Sequence, residues 1–587
     1  MFSKLKSFFS YVGECVVREL PFFIISVFLL SMPAAYEGNG VHRHFAVVLL
    51  TTSIPISMLI STLACILVRL GKKYVKWLIM TLWLLLFITE TFIYFRFGSR
   101  MSPIFMSLIL QTDMMEVKEF FITFLTPPIL VSVGIGLVFV LFLYIKIEHR
   151  WKRFFTKIPR KLVRVVGMIV TANFLLGGFL IYLNISSQWQ YPIGTTSIEQ
   201  IIDSYGKLSN HDEDVENIYK ANLKIEKVKS PSKSPIIVCI LGESFNRYHS
   251  SLYGYGLPTN PLLEQEVKAE RLFVFTDVVS SFQRTNKVLE TFYSLKSVND
   301  TSQWNQNALF PAVFRKAGFK VGLFDNQTTR TSGSMRWDFS CAYYINPHKI
   351  HKQCFNYRNT MRYPHDGDFI QTYSKKFYHT PKSLNIIHLM GQHINFSIRY
   401  PNNAKWKYFS ESDIKNRNDL NSEERTKVAE YANVTRYNDA VVKQIIDLFR
   451  TEDAVIVYCS DHGEQIYDDN RHLLGRTFGD LGPLPIKCMH EIPFMIWVSD
   501  KFKEAHPEKV KQIAGAVNQP FSNDDICYLL FDLADIDFKG NQPDRSVINP
   551  LFKPRHRILK NGEQNYDYDA HKAEIDRVQL MTSRQVQ

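Results

Sequence analysis

Five apolar runs fill most of the first 186 residues, at roughly 20–36, 45–68, 77–95, 127–145 and 165–183, and short basic stretches separate them. A helix needs about 20 apolar residues to cross a bilayer. This pattern therefore commits residues 1–186 to a multi-span helical membrane domain of five transmembrane helices. The second and fourth runs carry no charged residue at all. The first is short and resembles a signal peptide with a cleavage point near Pro33-Ala34-Ala35, but four more runs follow it, so it reads as an uncleaved anchor.

The formal net charge of +13 would suit a nucleic acid or a membrane surface, and its distribution decides between them. Stretches 1–20, 67–76 and 146–164 carry net +1, +4 and +7, which leaves the rest nearly neutral and excludes a nucleic-acid-binding main domain. Basic loops stay cytoplasmic, and these three alternate with the poorly basic 37–44 and 96–126. An odd number of spans then puts everything after about residue 184 outside. Between spans three and four, apolar residues at helical spacing near 100–125 predict a helix lying on the outer leaflet.

Residues 187–234 are polar, end in KVKSPSKSP and read as a partly helical linker. From 235 to 587, apolar strand-like runs alternate with helical stretches, the pattern of an α/β domain with a largely parallel sheet. The clearest strands are PIIVCILGES, FKVGLFDNQ, SLNIIHLMGQH, AVIVYCSDHGE and EIPFMIWVS. Each is nearly continuous in apolar residues, as expected where helices cover both faces. Ligands of open α/β sheets sit beyond the carboxyl ends of the strands. Those ends carry Glu243, Asp325, His388 with His393, and Asp461 with His462, and carboxylate with imidazole suits Zn²⁺ or Mn²⁺. Thr285 stands near the start of a predicted helix, where a hydroxyl beside a metal makes a nucleophile; Ser280, Ser281 and Thr291 compete with it on composition.

The ordered motifs resemble one family. They are Q-T-D-x-x-E at Gln111–Glu116, G-E-S at Gly242–Ser244, L-Y-G-Y at Leu252–Tyr255, H-L-M-G-Q-H at His388–His393, S-D-H-G-E at Ser460–Glu464 and E-I-P-F at Glu491–Phe494. Together with the five spans they are similar to the phosphoethanolamine transferases of Gram-negative inner membranes, in the alkaline phosphatase/sulfatase superfamily. I-R-Y-P after the histidine pair and P-D-R-S-V-I-N-P at Pro543–Pro550 look most like the branch acting on the lipopolysaccharide core. The lipid A branch places a cysteine pair around its nucleophile, where this chain has Ser281 and Thr291.

The resemblance implies an inner-membrane enzyme, monomeric, with a periplasmic catalytic domain. It implies transfer of phosphoethanolamine from phosphatidylethanolamine to lipopolysaccharide, a core heptose in particular, through a covalent intermediate on Thr285. Glu243, Asp461 and His462 would join Thr285 around the zinc. His393, His472, His388, Asn326 and Gln327 would contact substrate, and Thr112 and Glu116 would hold the ethanolamine head group. Other readings are a phosphoglycerol transferase or phosphodiesterase of the same superfamily, an acceptor that is lipid A, glucan or protein, and an inactive membrane sensor. Cys341 and Cys354 lie in loop-like sequence facing an oxidising compartment, which allows a disulfide between them.

Overall fold

Apolar patterning sets the architecture of both halves of the chain. The computed structural model describes residues 2–33, 53–71, 74–97, 127–186, 211–327, 341–476, 482–561 and 564–581. They fall into two units, Met1–Ser209 and Asn210–Gln587.

The first unit is helical: α1 (Phe2–Arg18), α2 (Leu20–Ser31), α3 (Ile54–Leu70), α4 (Tyr74–Phe97), α5 (Pro127–Phe155) and α6 (Arg160–Ser186). Pro21 and Pro55 sit in first turns, where the missing N–H leaves no helical bond unmade. α1 covers a stretch that the sequence marks only as basic, and it buries Val12, Cys15 and Val16. It crosses α6 so closely that a Cβ on Gly13 would stand 2.1 Å from the Val163 carbonyl oxygen, which explains the glycines at 13 and 167. Lys76 Nζ is buried between Glu19 Oε2 at 2.6 Å and Glu148 Oε1 at 2.5 Å, joining the starts of α2 and α4 to α5. Among the described residues one helical stretch, Tyr74–Tyr94, is long and apolar enough to cross a bilayer, and Leu20–Ser31 and Ile54–Leu70 are shorter apolar helices. Residues 34–52, which the first two apolar runs enter, lie outside the described residues. So do 98–126, with the expected outer-leaflet helix.

The second unit begins with α7 (His211–Leu223). This stretch falls within the residues read from sequence as a linker, yet it buries Val215, Ile218 and Ala221 in the core of the unit. The strands that follow are β1 (Ile236–Gly242), β2 (Leu272–Phe275), β3 (Val278–Val279), β4 (Lys320–Asp325), β5 (Tyr357–Arg358), β6 (Ser383–His388), β7 (Ala454–Ser460), β8 (Gln465–Ile466), β9 (Leu474–Gly475), β10 (Phe494–Val498) and β11 (Phe521–Ser522). Seven of them form one sheet in the order β2-β10-β7-β1-β6-β4-β5. Its centre is parallel, as expected, and β10 runs antiparallel to both β7 and β2 at one edge.

Alternation explains the unbroken apolar strands. In β1, Ile237, Cys239 and Leu241 enter one core while Ile236, Val238 and Ile240 enter the other. In β7 the same split separates Val455, Val457 and Cys459 from Ile456 and Tyr458. Side chains of a strand point alternately to opposite faces, so two covered faces demand apolar residues at every position. Two helices matter for the site: α8 (Thr285–Tyr293) and the long α9 (Ser422–Phe449). At the start of α9, Asn421 accepts from the Glu424 N–H and Glu424 accepts from the Asn421 N–H, which ends the preceding loop at a defined residue. Cys354 forms no disulfide, so the Cys341–Cys354 bridge that the sequence allows is not made. Cys354 is instead fully buried in the core, with the Asn222 amide against its sulfur.

Candidate active site

Strand register assembles the site. Gly242 of β1 pairs with Ser460 of β7, so the next residues, Glu243 and Asp461, leave the sheet side by side. His462 follows, and all three are fully buried. Ser244 adopts a left-handed backbone at φ 54°, uncommon outside glycine, and this turn aims its N–H at Asp461 Oδ1, 3.0 Å away. Its hydroxyl donates to Glu243 Oε1 at 2.7 Å. Gly391, at φ +51°, passes so close to Glu243 that a Cβ would stand 2.9 Å from the Glu243 backbone nitrogen.

Thr285 opens α8 with its hydroxyl donating to Glu243 Oε2 at 3.0 Å, and 3.4 Å from His462 Nε2. The competing hydroxyls are committed elsewhere. Ser280 donates to the Phe282 carbonyl, Ser281 to Asp524 and Thr291 to the Val288 carbonyl.

The donor atoms of Glu243, Asp461 and His462 lie within 4.8 Å of one another, as a shared cation requires. His462 Nδ1 sits 2.8 Å from the Gly463 carbonyl oxygen, a contact that assigns the proton to Nδ1 and leaves the Nε2 lone pair facing inward. Asp461 Oδ2 is buried, has no hydrogen-bond partner and lies 3.2 Å from that Nε2. Two lone pairs at this distance repel unless a proton or a metal ion stands between them. Carboxylate oxygens with an imidazole nitrogen are a donor set that Zn²⁺ accepts, so the residues present fit a metal.

The electrostatics agree. Burial raises the Asp461 carboxyl, and Glu243 beside it raises it further. Burial also opposes ionisation of Glu243, but His462, His393 and Arg476 outweigh it and hold that carboxyl well below the usual range. Without a metal the pair carries one negative charge, since two buried carboxylates this close do not both ionise without a countercharge. Burial and Arg476 push His462 down to about 3, and burial and Arg399 push His393 down to about 4, so both rings are neutral near pH 7.

The other sequence candidates divide. Gln327 Nε2 donates to Glu243 Oε2 and to the Leu389 carbonyl, both at 2.9 Å, and so braces the carboxylate. His388, at the end of β6, pairs through Nδ1 with Asp325 at 3.2 Å, while its buried Nε2 has no hydrogen-bond partner. His393 is half-buried, 3.2 Å from an Arg399 nitrogen. Asn326 is turned away, donating to Asp366 at 2.8 Å and to the Tyr363 carbonyl at 3.0 Å. His472 is exposed and contacts Glu424 at 2.9 Å. Thr112 and Glu116 lie outside the described residues. Three groups at the site were not read from sequence. They are Arg476, 2.7 Å from His462 Nε2, Glu464, which burial raises to about 7, and Asn523, which donates to the Asp461 carbonyl at 3.2 Å. Glu464 closes the S-D-H-G-E motif, and that was the one available signal.

A family model described as Sulfatase matches residues 235–536, just over half of the chain. The chain belongs to the sulfatase family. Within that family its relatives are phosphoethanolamine transferases. It is 31% identical over 396 residues to phosphoethanolamine transferase EptC of Escherichia coli (strain K12), an alignment covering 65% of each chain. The chain thus spans about two-thirds of the length of the curated relative it matches. The sulfatase-family unit also matches the crystal structure of the C-terminal periplasmic domain of E. coli EptC in complex with Zn, at a TM-score of 0.51 and 28% identity, over 59% of this chain and 96% of that one. The integral membrane lipooligosaccharide phosphoethanolamine transferase A of Neisseria meningitidis shares the fold over 92% of this chain and 99% of its own, at a TM-score of 0.57 and 16% identity.

Proposed function

We propose that the chain is a membrane-anchored, zinc-dependent phosphoethanolamine transferase. In this reading phosphatidylethanolamine is the donor, and lipopolysaccharide, a core heptose in particular, is the acceptor. The observation that carries it is the Thr285 hydroxyl, 3.0 Å from Glu243 Oε2 at the head of a helix and beside a buried carboxylate–imidazole trio. The resemblance to EptC supplies the group transferred, and the zinc of the EptC domain structure suits the donor set.

Glu243, Asp461, His462 and the Thr285 oxygen would hold the zinc, which would ease ionisation of the hydroxyl and offset the charge of the phosphoryl oxygens. Thr285 Oγ1 gives its proton toward Glu243 Oε2 and attacks phosphorus, and the bond from phosphorus to the diacylglycerol oxygen breaks, that oxygen taking up a proton as diacylglycerol leaves. An acceptor hydroxyl then attacks the same phosphorus and gives up its proton, and the Thr285 oxygen leaves and takes up a proton, restoring the hydroxyl. Gln327 and Ser244 keep the Glu243 carboxylate oriented throughout. His393 and His388 border the site as substrate contacts, and Thr112 and Glu116 are assigned to the ethanolamine ammonium, which a carboxylate would pair. Both lipids sit in membranes, which gives the helical unit its purpose. We assign it five spans, with the sulfatase-family unit in the periplasm.

Mass spectra of separated lipid A and core from cells carrying the intact chain and T285A test the reading. A phosphoethanolamine increment on the core that T285A abolishes is the expected result. An increment that persists in T285A overturns the nucleophile, and one confined to lipid A overturns the acceptor.

A further inference from the structure

Several guanidiniums of this unit meet a carboxylate at hydrogen-bond distance, whereas Arg476 meets its nearest described carboxylate only at 4.0 Å. Arg247 pairs with Glu491 at 2.7 Å, Arg557 with Asp569 at 2.6 Å and Asp277 at 2.8 Å, and Arg555 with Asp525 at 2.5 Å. Arg476 follows the short β8–β9 hairpin, its side chain 21% exposed, and its nearest carboxylate among the described residues is Glu464 at 4.0 Å. Its Nη1 instead lies 2.7 Å from His462 Nε2 and 3.1 Å from the Gln283 carbonyl oxygen. Thr285 Oγ1 is 3.4 Å from the same His462 nitrogen, so hydroxyl and guanidinium border one atom.

A second guanidinium, that of Arg284, the residue immediately before Thr285, is buried. Arg476 thus borders the same nitrogen as the Thr285 hydroxyl, with no carboxylate among the described residues nearer than 4.0 Å, an arrangement that an incoming anion stabilises. The planar fork of arginine fits the paired oxygens of a phosphate.

We propose that Arg476 is the anion clamp of this site, taking the non-bridging oxygens of a phosphodiester or phosphoryl group as it reacts at Thr285. The proposal rests on the reading of Thr285 as phosphoryl acceptor. It assigns Arg476 a catalytic contact; with zinc on His462 Nε2, the Gln283 carbonyl marks where the guanidinium waits before the anion arrives.

The test is calorimetric titration of the full-length, zinc-loaded protein in detergent with orthovanadate, for the parent, R476Q and R476K, with zinc content measured on each sample. R476Q should bind orthovanadate at least tenfold more weakly with zinc content unchanged, and R476K should recover part of the loss. Parent-like affinity in R476Q overturns the clamp. So does a loss in both variants that tracks loss of zinc, because Arg476 would then serve the structure alone. The two readings fail separately. If no phosphoethanolamine is transferred, the dependence of orthovanadate binding on Arg476 still stands or falls by itself.

Discussion

Thr285 is distinguished from the neighbouring hydroxyls by what the others are doing, because Ser280, Ser281 and Thr291 already donate within the fold. Thr285→Ser should therefore retain measurable transfer, whereas moving a serine to any neighbouring position in a T285A background should restore none; product mass spectrometry checks both. Asp461→Asn removes one of two buried anions, and zinc content after dialysis should fall at least tenfold while the fold persists. His388 gives a pH test. Burial lowers its pKa, but Asp325 beside it raises it more, leaving it above the usual value. The contribution of the pair is thus fully present below about pH 6.5 and fades as pH rises through the folded value. The thermal midpoint of H388Q should fall further below the parent at pH 6 than at pH 8.5; an equal deficit at both would mean the imidazole charge adds nothing. Glu243, Asp461 and His462 were legible as candidates in the sequence because strand ends mark them, whereas only the family resemblance singled out Thr285 from Ser280, Ser281 and Thr291. Arg476 was not legible, because no spacing relates a residue after a two-residue hairpin strand to a histidine fourteen positions earlier.

At the scale of elements, α8 is clamped at both ends by one side chain. Asp524 accepts from the Ser281 hydroxyl ahead of the helix, and from the Ser297 hydroxyl and Val298 N–H beyond it, each at 2.9 Å. Asn523 ties the same segment to the loop that carries Asp461, donating to Ser280 Oγ at 2.9 Å and to the Asp461 carbonyl at 3.2 Å. Burial opposes the Asp524 charge, but Arg555 holds the carboxyl well below its usual range. Its stabilisation is therefore present above about pH 3.9 and is lost as pH falls toward the folded value. D524N should cost about 3 kcal/mol near neutral pH, read from denaturant melts, because it leaves Arg555 short of a countercharge. It should also lower kcat more than the KM for the lipid donor, since the hydroxyl shifts while the substrate surface stays. The strands were readable from their apolar runs, but this brace was not. It joins a loop near 281 to one near 524 through β3 and β11, a contact that only the folded chain creates. The P-D-R-S run stood out in sequence, and Arg545 proves to be the partner of Asp525 at 2.7 Å.

Across the whole molecule, charge and hydropathy divide the chain into two parts, and the structure draws the division at Ser209, inside the 187–234 stretch read as a linker. α7 was hidden because its mixed polar sequence has only a narrow apolar stripe of Val215, Ile218 and Ala221. A reporter active only outside the cytoplasm should work when fused after Gln587 and stay silent after Gly71; the reverse pattern would remove the five-span topology. The pairing of Gly242 with Ser460 has a consequence for how such a protein can change over time. Deleting one residue from β1 or β7 would shift its ligand by about 3.3 Å and turn it to the opposite face. Insertions in loops beyond the strand ends leave that spacing untouched. The surroundings of the site can therefore be varied by lengthening loops, whereas the two strands behind Glu243 and Asp461 tolerate substitution but not a change of length.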